Sequence, residues 1–200
     1  MREAETARYM GSKIILHPDT REVRCRFGKE HAERLFAREI LSRFDKPVLV
    51  DVGAGAGEWT LMAARVPNLR VFAFEPHSGF ASILRENIGL NDLQGQISIY
   101  AIALGAEPGV ADLSVPKDKG HWGLSTIGEY PSFKPRTQRP VAVATLDQFF
   151  THLDPTIVKI DVEGGERDVI LGARKTIKRC APAFVMEVSQ KRTVQFEYTR

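Results

Sequence analysis

Apolar positions along the chain alternate between two spacings. Short runs rich in β-branched residues recur at Val48–Val52, Arg70–Glu75, Ile97–Ile102, Thr156–Asp161 and Ala183–Val188, each of strand length. Between them the spacing changes to three or four. Phe80, Ile83, Leu84 and Ile88 mark one helix, Glu58–Val66 reads as a second and Glu166–Lys178 as a third. Ahead of the first strand, Ala32, Phe36, Ile40 and Phe44 recur every fourth residue, which predicts a helix over about Lys29–Phe44 with this stripe inward; Asp45-Lys46-Pro47 ends it. Strand and helix in alternation predict an α/β fold, a doubly wound and mostly parallel sheet built of βαβ units.

Two regions depart from this rhythm. Residues 1–28 carry one apolar patch, Ile14-Ile15-Leu16, and read as an N-terminal extension packed on a single domain spanning 29–200. Residues 105–144 hold glycines at 105, 109, 120, 123 and 128 and prolines at 108, 116, 131, 135 and 140, with alternating runs at 110–115 and 141–144. That composition predicts an insertion of short antiparallel strands and a mobile loop.

Composition removes several classes of function. The 200 residues are 43% hydrophobic and 26% charged, ordinary for a globular chain with a real core. No apolar run approaches the roughly 20 residues of a spanning helix, and Met1–Met10 has no signal-like apolar segment, so a cytoplasmic protein without a membrane span is expected. Cys25 and Cys180 stand far apart with no metal-ligand spacing near either, so neither a disulfide framework nor a metal site is expected. The formal charge is +3, too weak an excess to predict a nucleic-acid partner.

The candidate chemistry begins at Asp51-Val52-Gly53-Ala54-Gly55-Ala56-Gly57, where the first strand turns through glycines into a helix. Doubly wound sheets bind nucleotide-like ligands at this turn, and glycine lets the backbone come close to them. Glu75 ends the next strand, 20 residues after Gly55, where a carboxylate accepts hydrogen bonds from ribose hydroxyls. A dinucleotide fingerprint would place a third glycine at position 58, but the chain has Glu58, and a carboxylate there opposes a pyrophosphate. S-adenosylmethionine has a ribose and no phosphate, and carries a sulfonium and an ammonium group that suit an acidic loop. The plainer reading of Glu58 is a first-turn residue favoured by the helix dipole and facing solvent.

A second signature lies downstream. Thr145-Leu146-Asp147, then Lys159-Ile160-Asp161-Val162-Glu163-Gly164-Gly165-Glu166, then Val169-Ile170-Leu171-Gly172-Ala173 and a strand ending in Glu187, resembles the FkbM family of S-adenosylmethionine-dependent methyltransferases. Val50–Ala54, Phe74-Glu75-Pro76 and Ala103-Leu104 fit the same pattern, so the resemblance covers about residues 46–189. It implies a Rossmann-like class I methyltransferase sheet and methyl transfer to a hydroxyl of a polyketide, sugar or glycolipid-type small molecule. It also implies cofactor contacts from Asp51, Gly53, Ala54, Gly55 and Glu75, with Pro76 and Ile102 near the adenine and Asp161 beside the methionine moiety. Sheets of this kind continue past the fifth strand, whereas only eleven residues follow Ser189 here; a shortened C-terminus, with an edge covered by the N-terminal segment or by a second copy in a homodimer, is expected.

Elementary chemistry adds a base. A hydroxyl nucleophile must lose its proton as the new C–O bond forms, and Asp161 and Glu163 both stand at the carboxyl end of the fourth strand. Either carboxylate suits that role; for Glu166 the plainer reading is dipole complementation at a helix start. His121 and Trp122 are candidates for a substrate lid, with local anchoring the expected role of Trp122. A nicotinamide-dependent oxidoreductase is the alternative enzyme class, disfavoured by Glu58 and by the lack of a Tyr-x-x-x-Lys set. A non-catalytic S-adenosylmethionine-binding protein is the other.

Overall fold

A computed structural model describes residues 5–9, 11–16, 32–127 and 136–186. Cys25, Glu187 and Thr193–Tyr198 lie outside the described residues, as does most of the expected N-terminal extension. The chain starts with an antiparallel hairpin, β1 (Glu5–Tyr9) and β2 (Ser12–Leu16), followed by helix α1 (Ala32–Leu41). Next come β3 (Val48–Val52), a 3₁₀ turn at Thr60–Arg65, β4 (Arg70–Phe74), α2 (Ser78–Gly89) and β5 (Ile97–Tyr100). Four further strands follow: β6 (Ala103–Leu104), β7 (Gly109–Pro116), β8 (Thr126–Ile127) and β9 (Arg136–Ala144). The last described elements are α3 (Leu146–Phe149), β10 (Ile157–Ile160), α4 (Glu166–Leu171), α5 (Arg174–Cys180) and β11 (Ala183–Met186).

Five strands pair in parallel in the order β11-β10-β3-β4-β5, the expected doubly wound sheet. The order reverses between β3 and β10, which opens a crevice at their carboxyl ends. All five positions of β3 are buried because both faces of the sheet are covered. Val48, Val50 and Val52 point to one face with Val158, Ile160, Phe150 and Val169; Leu49 points to the other with Ile157, Leu84 and Leu41. Alternation puts Asp51 on the Leu49 face, and the β3–β10 register sets Lys159 directly opposite it.

Four expectations are revised. The expected stripe of α1 is only partly inward: the helix ends at Leu41, Phe36 and the following Phe44 are 67% and 54% exposed, Ile40 packs against the core, and the buried face is Arg34, Ala37 and Leu41. Arg34 belongs to that face through its ion pair with Glu58 (3.1 Å), a polar member that an apolar period does not show. Glu58–Val66 is not a regular helix but a turn and a short 3₁₀ segment. Here Gly57 takes φ +104° and Thr60 donates its hydroxyl to Asp51 (2.7 Å), which pulls the segment onto the sheet. The helix after β10 is two helices, broken at Gly172. A Cβ there would strike the Gly105 carbonyl, and Asp147 caps the second helix through the Lys175 and Thr176 amides (2.9 and 2.8 Å). Finally, the third parallel strand stops at Tyr100, and the chain enters a second sheet at Ala103.

That second sheet, in the order β6-β9-β7-β8, holds the expected insertion, but its two central strands, β7 and β9, are long. β7 and β9 pair antiparallel from Gly109↔Val143 to Pro116↔Arg136, while β6 runs parallel to β9. Residues 128–135, part of the expected mobile loop, lie outside the described residues.

Candidate active site

The crevice holds a cavity of about 820 Å³. One side is the glycine loop with Glu75 and Pro76; a second is the Asp161–Glu163 segment after β10; the third is the insertion, through Leu113, Thr126 and Val143. Of the residues expected to contact a cofactor, Gly53, Ala54, Gly55, Glu75, Pro76, Ile102 and Asp161 line this cavity, and so does Glu163. Asp51 does not line it.

The glycine loop is held from every side. Phe74 accepts from the Gly53 and Ala54 amides (2.9 and 3.1 Å), and the Lys159 ammonium donates to the Gly53 carbonyl (2.7 Å). Gly53, at φ +75°, leaves no room for a Cβ beside the Asp161 carbonyl, so β3 and β10 touch here as only glycine allows. Gly55, at φ +55°, faces the opposite situation: a Cβ built on it meets nothing, so its α-carbon borders open space.

Glu75 is 6% exposed, with both oxygens engaged. Oε2 accepts from the Gly55 amide (2.7 Å) and Oε1 from the His77 amide (2.8 Å). Burial outweighs these donors and raises its pKa from 4.5 to about 7. The neighbouring His77 moves the other way, lowered to about 4 by burial and by the charge of Arg139, so its ring is neutral. Its Nδ1 accepts from the Phe80 amide at the start of α2 (3.2 Å), as an N-cap.

Beneath the loop, Asp51 is fully buried against Lys159 (3.1 Å) and accepts from Thr60. Burial works against the Lys159 ammonium, but the Asp51 and Asp161 carboxylates outweigh it and raise its pKa. Glu58 is likewise paired, with Arg34 at 3.1 Å, and both line the cavity. The expected acidity of the loop is thus largely answered inside the protein. Any preference for a cationic ligand passes to the carboxylates on the cavity wall.

The segment after β10 is shaped by its own carboxylates. Glu163 and Gly164 both take positive φ, at 59° and 117°. Glu166 accepts from the Gly164 and Val162 amides (3.1 and 3.4 Å), so it does more than complement the α4 dipole. Thr126 of β8 donates its hydroxyl to the Glu163 carbonyl (2.9 Å), tying the insertion to this turn. Trp122 anchors at long range: its ring lies 4.4 Å from His77 and 5.9 Å edge-on from Phe80, over a Gly79 that could carry no side chain. Sequence spacing missed Lys159, Thr126 and Asn87 as parts of the site's framework. For Lys159 and Asn87 the signal was a lone polar residue in an otherwise buried strand or helix face; Thr126, in a two-residue strand, gave none.

Among the described residues no helix is long and apolar enough to cross a membrane. A profile of the Methyltransferase FkbM domain matches residues 51–199. The 2-O-methyltransferase NoeI of Sinorhizobium fredii is 27% identical over 196 residues, covering 88% of this chain and 79% of that one. Among solved structures, the methyltransferase FkbM of Methylobacillus flagellatus superposes with a TM-score of 0.54 at 21% identity, over 76% of this chain. This chain spans only 36% of the length of that one.

Proposed function

The chain belongs to the FkbM family of S-adenosylmethionine-dependent methyltransferases, and on that premise we propose that it transfers a methyl group to a hydroxyl oxygen of a small-molecule acceptor of polyketide, sugar or glycolipid type. The observation that carries this reading is the clamp on Glu75 at the mouth of the glycine loop. A buried carboxylate raised to about 7 is short of hydrogen bonds to its charged form, and a ribose diol supplies two. The open face of Gly55 fits a ligand lying against the backbone, and no phosphate-binding cation is needed for it.

Gly53, Ala54, Gly55, Glu75, Pro76, Ile102 and Asp161 would hold the cofactor along the near wall. Asp51, outside the lining, acts through Lys159 by fixing the loop from below. When bound, S-adenosylmethionine supplies a methyl group already activated on a sulfonium. The protein then has to align the acceptor and take its proton. Asp161 and Glu163 occupy the cavity wall for that second task, and the acceptor's O–H proton passes to one of these carboxylates as its oxygen gains the methyl carbon. An oxygen acceptor is also what the name of the NoeI relative specifies for that protein.

Isothermal calorimetry with S-adenosylmethionine, S-adenosylhomocysteine and NADH tests the reading. Both adenosyl ligands should bind in the micromolar range and NADH should not. Glu75→Ala should weaken both by about tenfold or more, having lost a charged acceptor. Binding of NADH alone would sink the proposal; tight adenosyl binding without turnover over a broad panel of hydroxyl compounds would favour a non-catalytic binding protein.

A further inference from the structure

One buried side chain hydrogen-bonds to both the N-terminal hairpin and the glycine loop. Asn87, on α2, is fully buried. Its Oδ1 accepts from the Ile15 amide of β2 (2.7 Å), and its Nδ2 donates to the Ala56 carbonyl of the glycine loop (2.9 Å). One turn on, Asn91 makes the matching pair of bonds to the hairpin, accepting from the Lys13 amide and donating to its carbonyl, both at 2.7 Å, and donates also to the Asn87 carbonyl (2.6 Å) but not to the glycine loop. Two asparagines four apart, one in the last turn of α2 and one just past its end, thus stand in for a neighbouring strand, closing alternate backbone positions of β2. Ile14, 1% exposed between them, drives the hairpin onto the body.

We infer that Asn87 is a positioning residue for the cofactor-binding loop and that the N-terminal hairpin is its anchor. The inference rests on the assignment of the glycine loop to S-adenosylmethionine. The Ala56 carbonyl lies one residue past the Gly55 amide that clamps Glu75, so a loop released at Ala56 slackens the Glu75 clamp as well. An amide is required here, because one end must accept and the other donate. An aspartate keeps the acceptor toward Ile15 but turns an oxygen against the Ala56 carbonyl.

Three full-length variants separate this role from general stability: Asn87→Asp, Asn87→Ala and Asn91→Ala. Each is titrated with S-adenosylhomocysteine by calorimetry, well below its own thermal midpoint. Asn87→Asp and Asn87→Ala should weaken binding by about tenfold, the expected effect of one buried carbonyl left without its donor. Asn91→Ala loosens the same hairpin without touching the loop, and should lower the thermal midpoint while changing affinity less than about twofold. The inference fails if the Asn87 variants bind as tightly as the parent, or if Asn91→Ala weakens binding as much as they do. A parent chain that binds no S-adenosylhomocysteine would overturn the cofactor assignment itself, and this inference with it.

Discussion

Glu75 couples the site to pH through a single proton. Its folded pKa of about 7 stands above the ordinary 4.5, so between those values the folded chain holds a proton that the unfolded chain has released. The associated stability is complete below pH 4.5 and is lost as pH rises to 7, about 3 kcal/mol in all. Urea denaturation at pH 5 and pH 8 should show the parent losing stability over this range more steeply than Glu75→Gln. Hydroxyl donors from a bound ribose favour the charged carboxylate, so S-adenosylhomocysteine should release a fraction of a proton at pH 7. Calorimetric enthalpies in two buffers of different ionisation heat should therefore disagree for the parent and agree for Glu75→Gln. Asp147 shows the opposite sign. Burial is the largest single influence and raises it, but the bonds from Lys175 and Thr176 together outweigh it and lower its pKa, so its contribution holds above the ordinary 3.8 and disappears on acidification. Asp147→Ala should cost about 1 kcal/mol through loss of the α5 cap, visible as a lower urea midpoint at neutral pH.

Among the elements, the strands were easier to read than the helices, and for a physical reason. A strand buried on both faces is apolar at nearly every position, so β3 and β10 announced themselves, Asp51 and Lys159 being their one charged residue each. A helix needs only one buried stripe, and α1 offers two candidates. Its every-fourth-residue period points to Ala32, Phe36 and Ile40, while the fold buries Ala37 and Leu41 in the core and Arg34 against Glu58. Nothing local to α1 reveals that partner, 24 residues away. Phe36→Lys should consequently change stability by less than about 0.5 kcal/mol, whereas Leu41→Ala should cost about 2–5 kcal/mol; comparable losses would restore the apolar stripe as the inner face. The glycine turn, and Asp161 and Glu163 at the end of β10, were legible as features of the sequence, and all of them border the cavity. What holds them was not: Lys159, Thr126 and Asn87 act across long sequence separations, and a single chain shows each only as an isolated polar residue.

Across the whole molecule, one buried ion pair underlies the meeting of β3 and β10. Asp51 and Lys159 face each other in register beneath the cavity, and removing one leaves the other's charge in the core. Lys159→Met should destabilise the chain by about 3–5 kcal/mol, and adding Asp51→Asn should recover much of that loss. Chemical denaturation of the four members of this cycle measures it. Additive losses would mean that the pair is not a unit.

The change of sheet between Tyr100 and Ala103 has a consequence for how such a chain diversifies. The near wall of the cavity grows from the parallel sheet, and the far wall from a hairpin, β7–β9, whose paired strands leave and re-enter beside β6. The seam between them is Ile102 with its neighbours, the Thr126–Glu163 bond and the Trp122 ring against His77. Changes in β7 and β9 away from those few points can therefore redraw one wall of the pocket while the parallel sheet keeps the other, much as a tool handle accepts a different head.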